Sequence, residues 1–363
     1  MPIYMDRHDV SEHVTAEMVA QLHQQDLKIQ HEYDCRGLTY WFDDQRKTAF
    51  CLIEAPDASR IKEMHDDAHG EVPHRIIEVD ANIVESFLGR IEDPVKARDT
   101  ELNIINDPAF RTLMVIKIGF LRFTPQNTKK QIENGLFLEQ EIAQCVQLGE
   151  GRVVTSKPDF VLASFTAVAK AVTCALKVLE KLVDHQDSND FVISLSSGIP
   201  VTESKELFAD TITLANRMCY VNGAKIIITN EVKELYKSEN RNSFANGSNI
   251  RVLSNDEEIF LTRFFNYLEK VWDNSDIRIS DFCNNLGVSK SQLYRNMTDV
   301  LNFSPNNFLQ HYRLLKAHEM LLRKKGTISE VSFQAGFSSP SYFSKCFTRQ
   351  FGIAPSELVN SNN

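Results

Sequence analysis

Residues 286–305 read LGVSKSQLYRNMTDVLNFSP, and residues 335–355 read AGFSSPSYFSKCFTRQFGIAP. They are two versions of one motif. Gly287 and Gly336 lie 49 residues apart, and the same offset relates Ile279 to Ile328, Asp281 to Glu330, Ser289 to Ser338 and Leu293 to Tyr342. After one inserted residue, LNFSP ending at Pro305 matches FGIAP ending at Pro355. A repeat of this length is a whole supersecondary unit, so the C-terminal part reads as two copies of a helix, turn and helix.

The chemistry within each copy points outward from the turn. In the first, Ile279, Phe282, Cys283 and Leu286 fall on one helical stripe, Gly287 permits the turn and Ser289 caps the next helix. The exposed face of that helix then offers Lys290, Gln292, Arg295 and Asn296. In the second copy Ile328, Val331 and Ala335 form the stripe, Phe337 fills the turn and Pro340 suits a first helical turn. Ser339, Ser341, Ser344 and Lys345 face outward there. Asn302 and Gly352, both tolerant of left-handed backbone, end the two helices. Between the copies, 305–324 reads as one helix whose Phe308, Tyr312 and Leu315 tie both cores in fixed register.

A repeated helical interaction module would explain the repeat, but not the basic residues on the predicted outer faces. GFSSPSYFSKCFTRQFGIAP follows the signature of the AraC-type DNA-binding domain, which residues 270–360 resemble. The resemblance implies sequence-specific regulation of transcription, with double-stranded DNA as partner, a homodimer, and RNA polymerase as a further partner. It also implies that both second helices dock in the major groove about one DNA turn apart, roughly 34 Å. Phosphate contacts are expected from Arg313, Lys316 and the capping amides. Met297 stands where the family usually has Phe, and polar residues dominate the second reading helix, which would shift affinity toward the first unit.

Composition is compatible with this. A chain of 363 residues holds several independent cores, and 42% hydrophobic content fits globular folds. No apolar stretch approaches the roughly 20 residues of a membrane span, and MPIYMDRHDV lacks a secretory core, so the chain is expected to be cytoplasmic, without a membrane partner. Seven cysteines, odd in number and never in CxxC, read as reduced, mostly buried thiols. The net charge is −9, but the segment from Arg278 onward carries +5 and the remainder −14, so only the C-terminal part suits phosphates. Seven of the ten histidines fall in the first 74 residues, which hints at metal.

Residues 1–93 pattern as β-α-β-β-α-β, a ferredoxin-like order: a strand at IYMDRH, a helix capped by Thr15, a hairpin around Asp44, a helix 57–68 and a strand 75–79. His65 and His69, four apart on the second helix, present two imidazoles on one face, which is expected to be exposed. His8 on the first strand and His23 on the first helix are placed to approach them, and Asp6 adds a carboxylate. Cys51 reads as a core thiol. MPIYMDRHDV, LTYWFDDQRKTAFCLIEAP, HDDAHG and RIIEVD are similar to a small family of ferredoxin-like nickel-binding proteins, which implies nickel or another divalent transition metal as cofactor. A polar linker is expected over 92–107.

Residues 111–237 read as a second α+β domain, beginning with LMVIKIGFLRF, with helices near 131–147, 166–182 and 212–218. GRVVTSKPDFVLASF and ELFADTITLANRMCYVNGAKIIITNEV resemble the class III nucleotidyl cyclase domain. Carrying its catalytic set across places the first metal-binding aspartate at Gly119 and the asparagine at Thr213, while Asp159 and Arg217 keep their types. One carboxylate cannot arrange two cations on a triphosphate, so the domain is expected to be degenerate. The expectation is therefore an α+β multidomain chain, with domains 1–93, 111–237 and 256–363, the last an all-α double helix-turn-helix. It is expected to act as a regulator and not an enzyme. A cyclase and a metal-storage protein are the rival readings.

Overall fold

The computed structural model describes residues 1–94, 102–118, 128–157, 159–184, 191–240 and 249–361. The N-terminal unit runs β1 (Ile3–Asp9), α1 (Ala16–Ile29), β2 (Arg36–Asp43), β3 (Thr48–Glu54), α2 (Ala58–His69) and β4 (Arg75–Val79), in an antiparallel sheet of order β2-β3-β1-β4. Thr15 caps α1, Asp57 caps α2, and Gly70 ends α2 at φ 79°. Alternation along β1 and β3 sends Tyr4 and Ile53 beneath the helices, while Met5 and Leu52 face the other way. Both faces are covered, which is why TAFCLIE is nearly all apolar.

What covers the second face is α3 (Ala81–Leu88) together with the middle unit. The helix α3 was not expected from the sequence, although Asp80 caps it and Val84, Phe87 and Leu88 give it an apolar face. The segment expected to be a polar linker is also partly packed. Phe42 donates its N–H to the Asp107 carbonyl at 3.1 Å, and the Tyr40 hydroxyl links Asn103 and Ile105 at 2.6 and 2.7 Å. Arg111, 2% exposed, then clamps the end of α3 by donating to the carbonyls of Phe87 and Leu88.

In the middle unit β5 (Arg111–Ile118), α4 (Thr128–Leu148), β6 (Arg152–Lys157), β7 (Phe160–Phe165), α5 (Val168–Asp184), β8 (Phe191–Gly198), α6 (Ala209–Met218), β9 (Ile226–Ile228), α7 (Asn230–Glu239) and β10 (Ile250–Val252) build a sheet of order β10-β9-β8-β5-β7-β6. Here β9 runs parallel to β8 and β10, and the remaining pairs are antiparallel. One face packs on α4, α5 and α7, the other on α6 and the C-terminal unit. Residues 249–254, expected to be a boundary, instead complete this sheet through Ile250 opposite Ile226.

The C-terminal unit is helical: α8 (Asn255–Val271), α9 (Ile279–Leu286), α10 (Lys290–Leu301), α11 (Pro305–Leu322), α12 (Ile328–Gln334), α13 (Pro340–Phe351) and α14 (Pro355–Ser361). Phe308, Leu309 and Tyr312 of α11 enter one core and Leu314, Ala317 and Leu321 the other, so a single helix fixes both repeats. The first core is shared with the middle unit. Tyr220 meets Phe265, Phe308 and Tyr312 with ring centroids 5.1 to 6.2 Å apart, and Asn222 donates its N–H to the Val300 carbonyl at 2.9 Å. The second core has no such partner among its members.

The repeat register differs from the one the sequence suggests. Ser289 caps α10 by accepting from the Gln292 N–H, and it is Ser339, not Ser338, that caps α13 by accepting from the Tyr342 N–H. The extra residue therefore lies in the second turn, between Gly336 and the cap. Leu293 corresponds to Phe343, both fully buried, and Met297 to Phe347. The correspondence of Leu293 with Tyr342 fails because Tyr342 is 53% exposed. Packing of the core residues, not the spacing of the glycines, sets the alignment of the two helices.

Candidate nucleic-acid interface and metal centre

Both glycines that open the turns sit in left-handed backbone, Gly287 at φ 68° and Gly336 at φ 75°. The turn so made leaves one face of α10 and one of α13 in solvent. Lys290, Gln292, Arg295, Ser341 and Lys345 are exposed on those faces, with Asn296 half-buried. Ser289 and Ser339 direct their hydroxyls at capping amides, and Ser344 donates its hydroxyl to the Pro340 carbonyl at 2.9 Å. Those three serines hold the helix ends and start rather than presenting free hydroxyls.

The two phosphate-contact expectations on α11 fare differently from the recognition faces. Arg313 donates to the carbonyls of Trp272 and Asn274 at 2.7 and 2.6 Å, so its guanidinium is a clasp between α8 and α11 and not a free cation. Burial is also what depresses its pKa. Lys316, half-buried, lays its ammonium 5.4 Å from the centre of the Tyr312 ring. Tyr342 and Arg349, not anticipated, stand on the exposed side of α13. The Tyr342 hydroxyl accepts from Gln310 at 2.8 Å, and Arg349 donates to the same Gln310 at 3.2 Å. The corrected register would have found Tyr342, since it takes the place of Gln292.

In the N-terminal unit the expected histidines come together, but inside the fold. His65 is 1% exposed because the Ile61–Met64–His65 face of α2 is the one that packs against α1 and the sheet, so the exposed pair expected from the sequence is a buried one. The nitrogens His65 Nδ1 and His69 Nε2 lie 3.3 Å apart, and Asp26 Oδ1 lies 3.0 and 3.1 Å from them. Asp26 Oδ1 is buried and forms a compact triangle of donor atoms with the two ring nitrogens. A divalent ion with bonds of about 2.0–2.1 Å holds its donors roughly 2.9–3.4 Å apart at octahedral to tetrahedral angles, and this triangle fits that range.

Asp6, expected as a ligand, stands behind the triangle. Its Oδ2 is 3.0 Å from His65 Nε2, and its Oδ1 accepts the Cys51 N–H at 2.8 Å. A carboxylate so placed fixes the His65 tautomer with Nδ1 free to coordinate. His8 Nε2 lies 3.5 Å from Asp6 Oδ1, and Asp6, His8 and Cys51 form a second group of donors. Burial, reinforced by Asp6 and Asp26, pushes the Cys51 thiol well up, which disfavours the thiolate a metal needs. His23 is buried against Tyr40 at 4.9 Å, its pKa lowered by that burial, and belongs to neither group. Asp26 was missed in the sequence although it lies one turn after His23 on α1.

Electrostatics bind this cluster together. Burial alone would depress His65, but Asp26 and Asp6 outweigh it and raise its pKa to about 10. Burial would raise Asp6, yet His8 and His65 reverse that and hold its carboxyl below the usual range.

In the middle unit Arg217 is buried and pairs with Glu269 of α8 at 2.8 Å, with its guanidinium over the Phe265 ring. It is committed to the domain junction, not to a nucleotide. Asp159 and Thr213 are exposed, and Gly119 lies outside the described residues. Among the described residues no helix is long and apolar enough to cross a membrane.

Comparisons with known proteins agree with the two ends of the chain. A family described as "Helix-turn-helix domain" matches residues 282–361, and one described as "Nickel responsive protein SCO4226-like" matches residues 4–79. Histidine kinase P4 of Formosa agariphila is 39% identical over 113 residues, 31% of this chain and 8% of that protein. The virulence regulon transcriptional activator VirF of Yersinia enterocolitica is 34% identical over 112 residues, 30% of this chain and 39% of its own length. The crystal structure of SCO4226 from Streptomyces coelicolor is 30% identical and covers 21% of this chain and 94% of its own, with a TM-score of 0.21. The matched stretch thus spans well under two thirds of these curated relatives. VirF and the HTH-type transcriptional regulator ExsA are transcriptional regulators by name.

Proposed function

We propose that this chain is a sequence-specific DNA-binding regulator of transcription, not an enzyme, whose N-terminal unit senses a divalent transition metal. The observation that carries the DNA reading is the pair of helices α10 and α13, each with exposed basic residues and both fixed by α11. Lys290, Gln292 and Arg295 would address base edges and phosphates from the first helix, and Ser341 and Lys345 from the second. Homodimerisation, contact with RNA polymerase and a cytoplasmic location belong to this reading.

The first two units are read as ferredoxin-like, since β2-β3-β1-β4 and β6-β7-β5-β8 repeat one strand order, the latter extended by β9 and β10. The middle unit is read as a degenerate cyclase-like domain, and the pairing of Arg217 with Glu269, which takes it away from any triphosphate, supports the loss of catalysis. Asp26, His65 and His69 would hold the metal, Asp6 would orient His65, and His8 and Cys51 border the site. The bound ion would supply fixed positive charge between two buried carboxylates. Nickel is favoured by the imidazole-rich donor set.

The test is selection of duplexes from a random library by the full chain, because α8 and α10 share a core with the middle unit and a C-terminal fragment would expose it. Enrichment of one motif, with affinity falling steeply as salt rises and with Arg295→Ala costing about 1–3 kcal/mol, is expected. Failure to enrich any motif would sink the reading.

A further inference from the structure

The two reading helices carry different chemistry at equivalent positions. In the corrected register Gln292 of α10 corresponds to Tyr342 of α13, Arg295 to Lys345, and Lys290 to Pro340. The first helix therefore presents an amide, which pairs with base edges through hydrogen bonds, where the second presents an aromatic ring. That ring is 53% exposed although it is large and apolar. It is also held in place. Its hydroxyl accepts from Gln310 Nε2 at 2.8 Å, Arg349 steadies Gln310 from the far side at 3.2 Å, and Phe337 lies 6.3 Å away on the turn. A side chain that simply dangled from a helix would need none of this.

Gln310 donates to the hydroxyl oxygen and so fixes the ring, whose exposed apolar surface is what α13 presents where α10 presents an amide. The feature of the major groove that an apolar surface recognises is the C5 methyl of thymine. We infer that Tyr342 is the specificity-determining residue of the second unit and reads a thymine methyl by apolar contact, with Gln310 and Arg349 as its positioning residues. The inference rests on the proposed DNA-reading function. It makes the two half-sites chemically distinct, one read by hydrogen bonds from Gln292 and Arg295, the other largely by methyl contact beside Lys345.

The experiment uses the full chain and the duplex that the wild type selects from a random library, with its thymines replaced one at a time by deoxyuridine, which lacks only the methyl. At one thymine the wild type should lose about fivefold to tenfold in affinity. Tyr342→Ala should lose the same factor on the unmodified duplex and be indifferent to the deoxyuridine there. Tyr342→Phe, which keeps the ring but gives up the bond from Gln310, should retain the methyl dependence at lower overall affinity, and Tyr342→Gln should abolish it. The inference is overturned if no thymine is methyl-dependent, or if Tyr342→Ala or Tyr342→Gln keeps the dependence. A wild type that selects no motif would refute the DNA reading itself, a distinguishable result.

Discussion

Alanine at the two turn glycines should have unequal effects, although the sequence repeats them. Both glycines are left-handed, a conformation that costs a residue with a Cβ about 1–2 kcal/mol. A Cβ at Gly287 meets nothing within 4 Å, so Gly287→Ala carries that term alone. A Cβ at Gly336 lands 2.9 Å from the Asp273 carbonyl oxygen and 2.9 Å from Arg313 Nε. Backbone cannot yield cheaply, and moving Arg313 loosens its bonds to Trp272 and Asn274. Overpacking of this kind adds about 1–3 kcal/mol, giving roughly 2–5 kcal/mol for Gly336→Ala against about 1–2 for Gly287→Ala. The chain has two tryptophans, and Trp272 sits at this clasp, so urea unfolding followed by Trp272 fluorescence in a Trp41→Phe background isolates the C-terminal unit. Equal shifts, or a larger one for Gly287→Ala, would show that the clasp does not constrain the second turn.

The metal site should bind nickel in calorimetry on the full chain, with affinity rising from pH 6 toward pH 9, since the proton held on His65 by Asp26 and Asp6 to a pKa of about 10 competes with the ion. His69→Gln should weaken it at least tenfold, and unchanged affinity would reject the triangle. The double change His65→Ala, His69→Ala should in addition destabilise the unit by several kcal/mol, because buried Asp26 loses both ring partners and Asp6 keeps only the Cys51 N–H and His8. Burial lowers the pKa of His318 to about 4, below its unfolded value, so the unfolded chain takes up the proton first and stability falls as pH drops from about 6.5 to 4. The loss should approach 3 kcal/mol and disappear in His318→Phe, measured by the same Trp272 transition; a pH profile identical in the variant would refute it. Arg217→Ala should leave cyclic nucleotide production at zero while lowering the stability of the α6–α8 junction, and product formed by the wild type from ATP or GTP with magnesium would contradict the non-catalytic reading.

The helices and most strands were legible because periodicity and capping residues are local. Ser289, Thr15, Asp57 and Gly287 announce element ends whatever the tertiary context. The burial of His65 was not legible, since a helix of low apolar content such as ASRIKEMHDDAH does not show which face meets the sheet. That face is set by Ile61 and Met64, which bring His65 over Asp6. Asp26 was missed because its partners come from another element, and β10 because its strand is three residues long and gains its identity only beside β9.

Arg217 and Arg313 show a further limit. Each looked like a functional cation, and each closes an internal junction instead, one on Glu269 and the other on the carbonyls of Trp272 and Asn274. The same junctions determine how the reader is mounted. The first unit shares its core with the middle unit through Tyr220, Phe265 and Phe308, whereas the second hangs on α11 and the Arg313 clasp. A change transmitted from the N-terminal units therefore reaches α10 directly, through Asn222 and Val300, and reaches α13 through α11 and the end of α8 at the Arg313 clasp. If metal loading alters DNA binding, contacts made by Gln292 and Arg295 should change before those made by Tyr342 and Lys345.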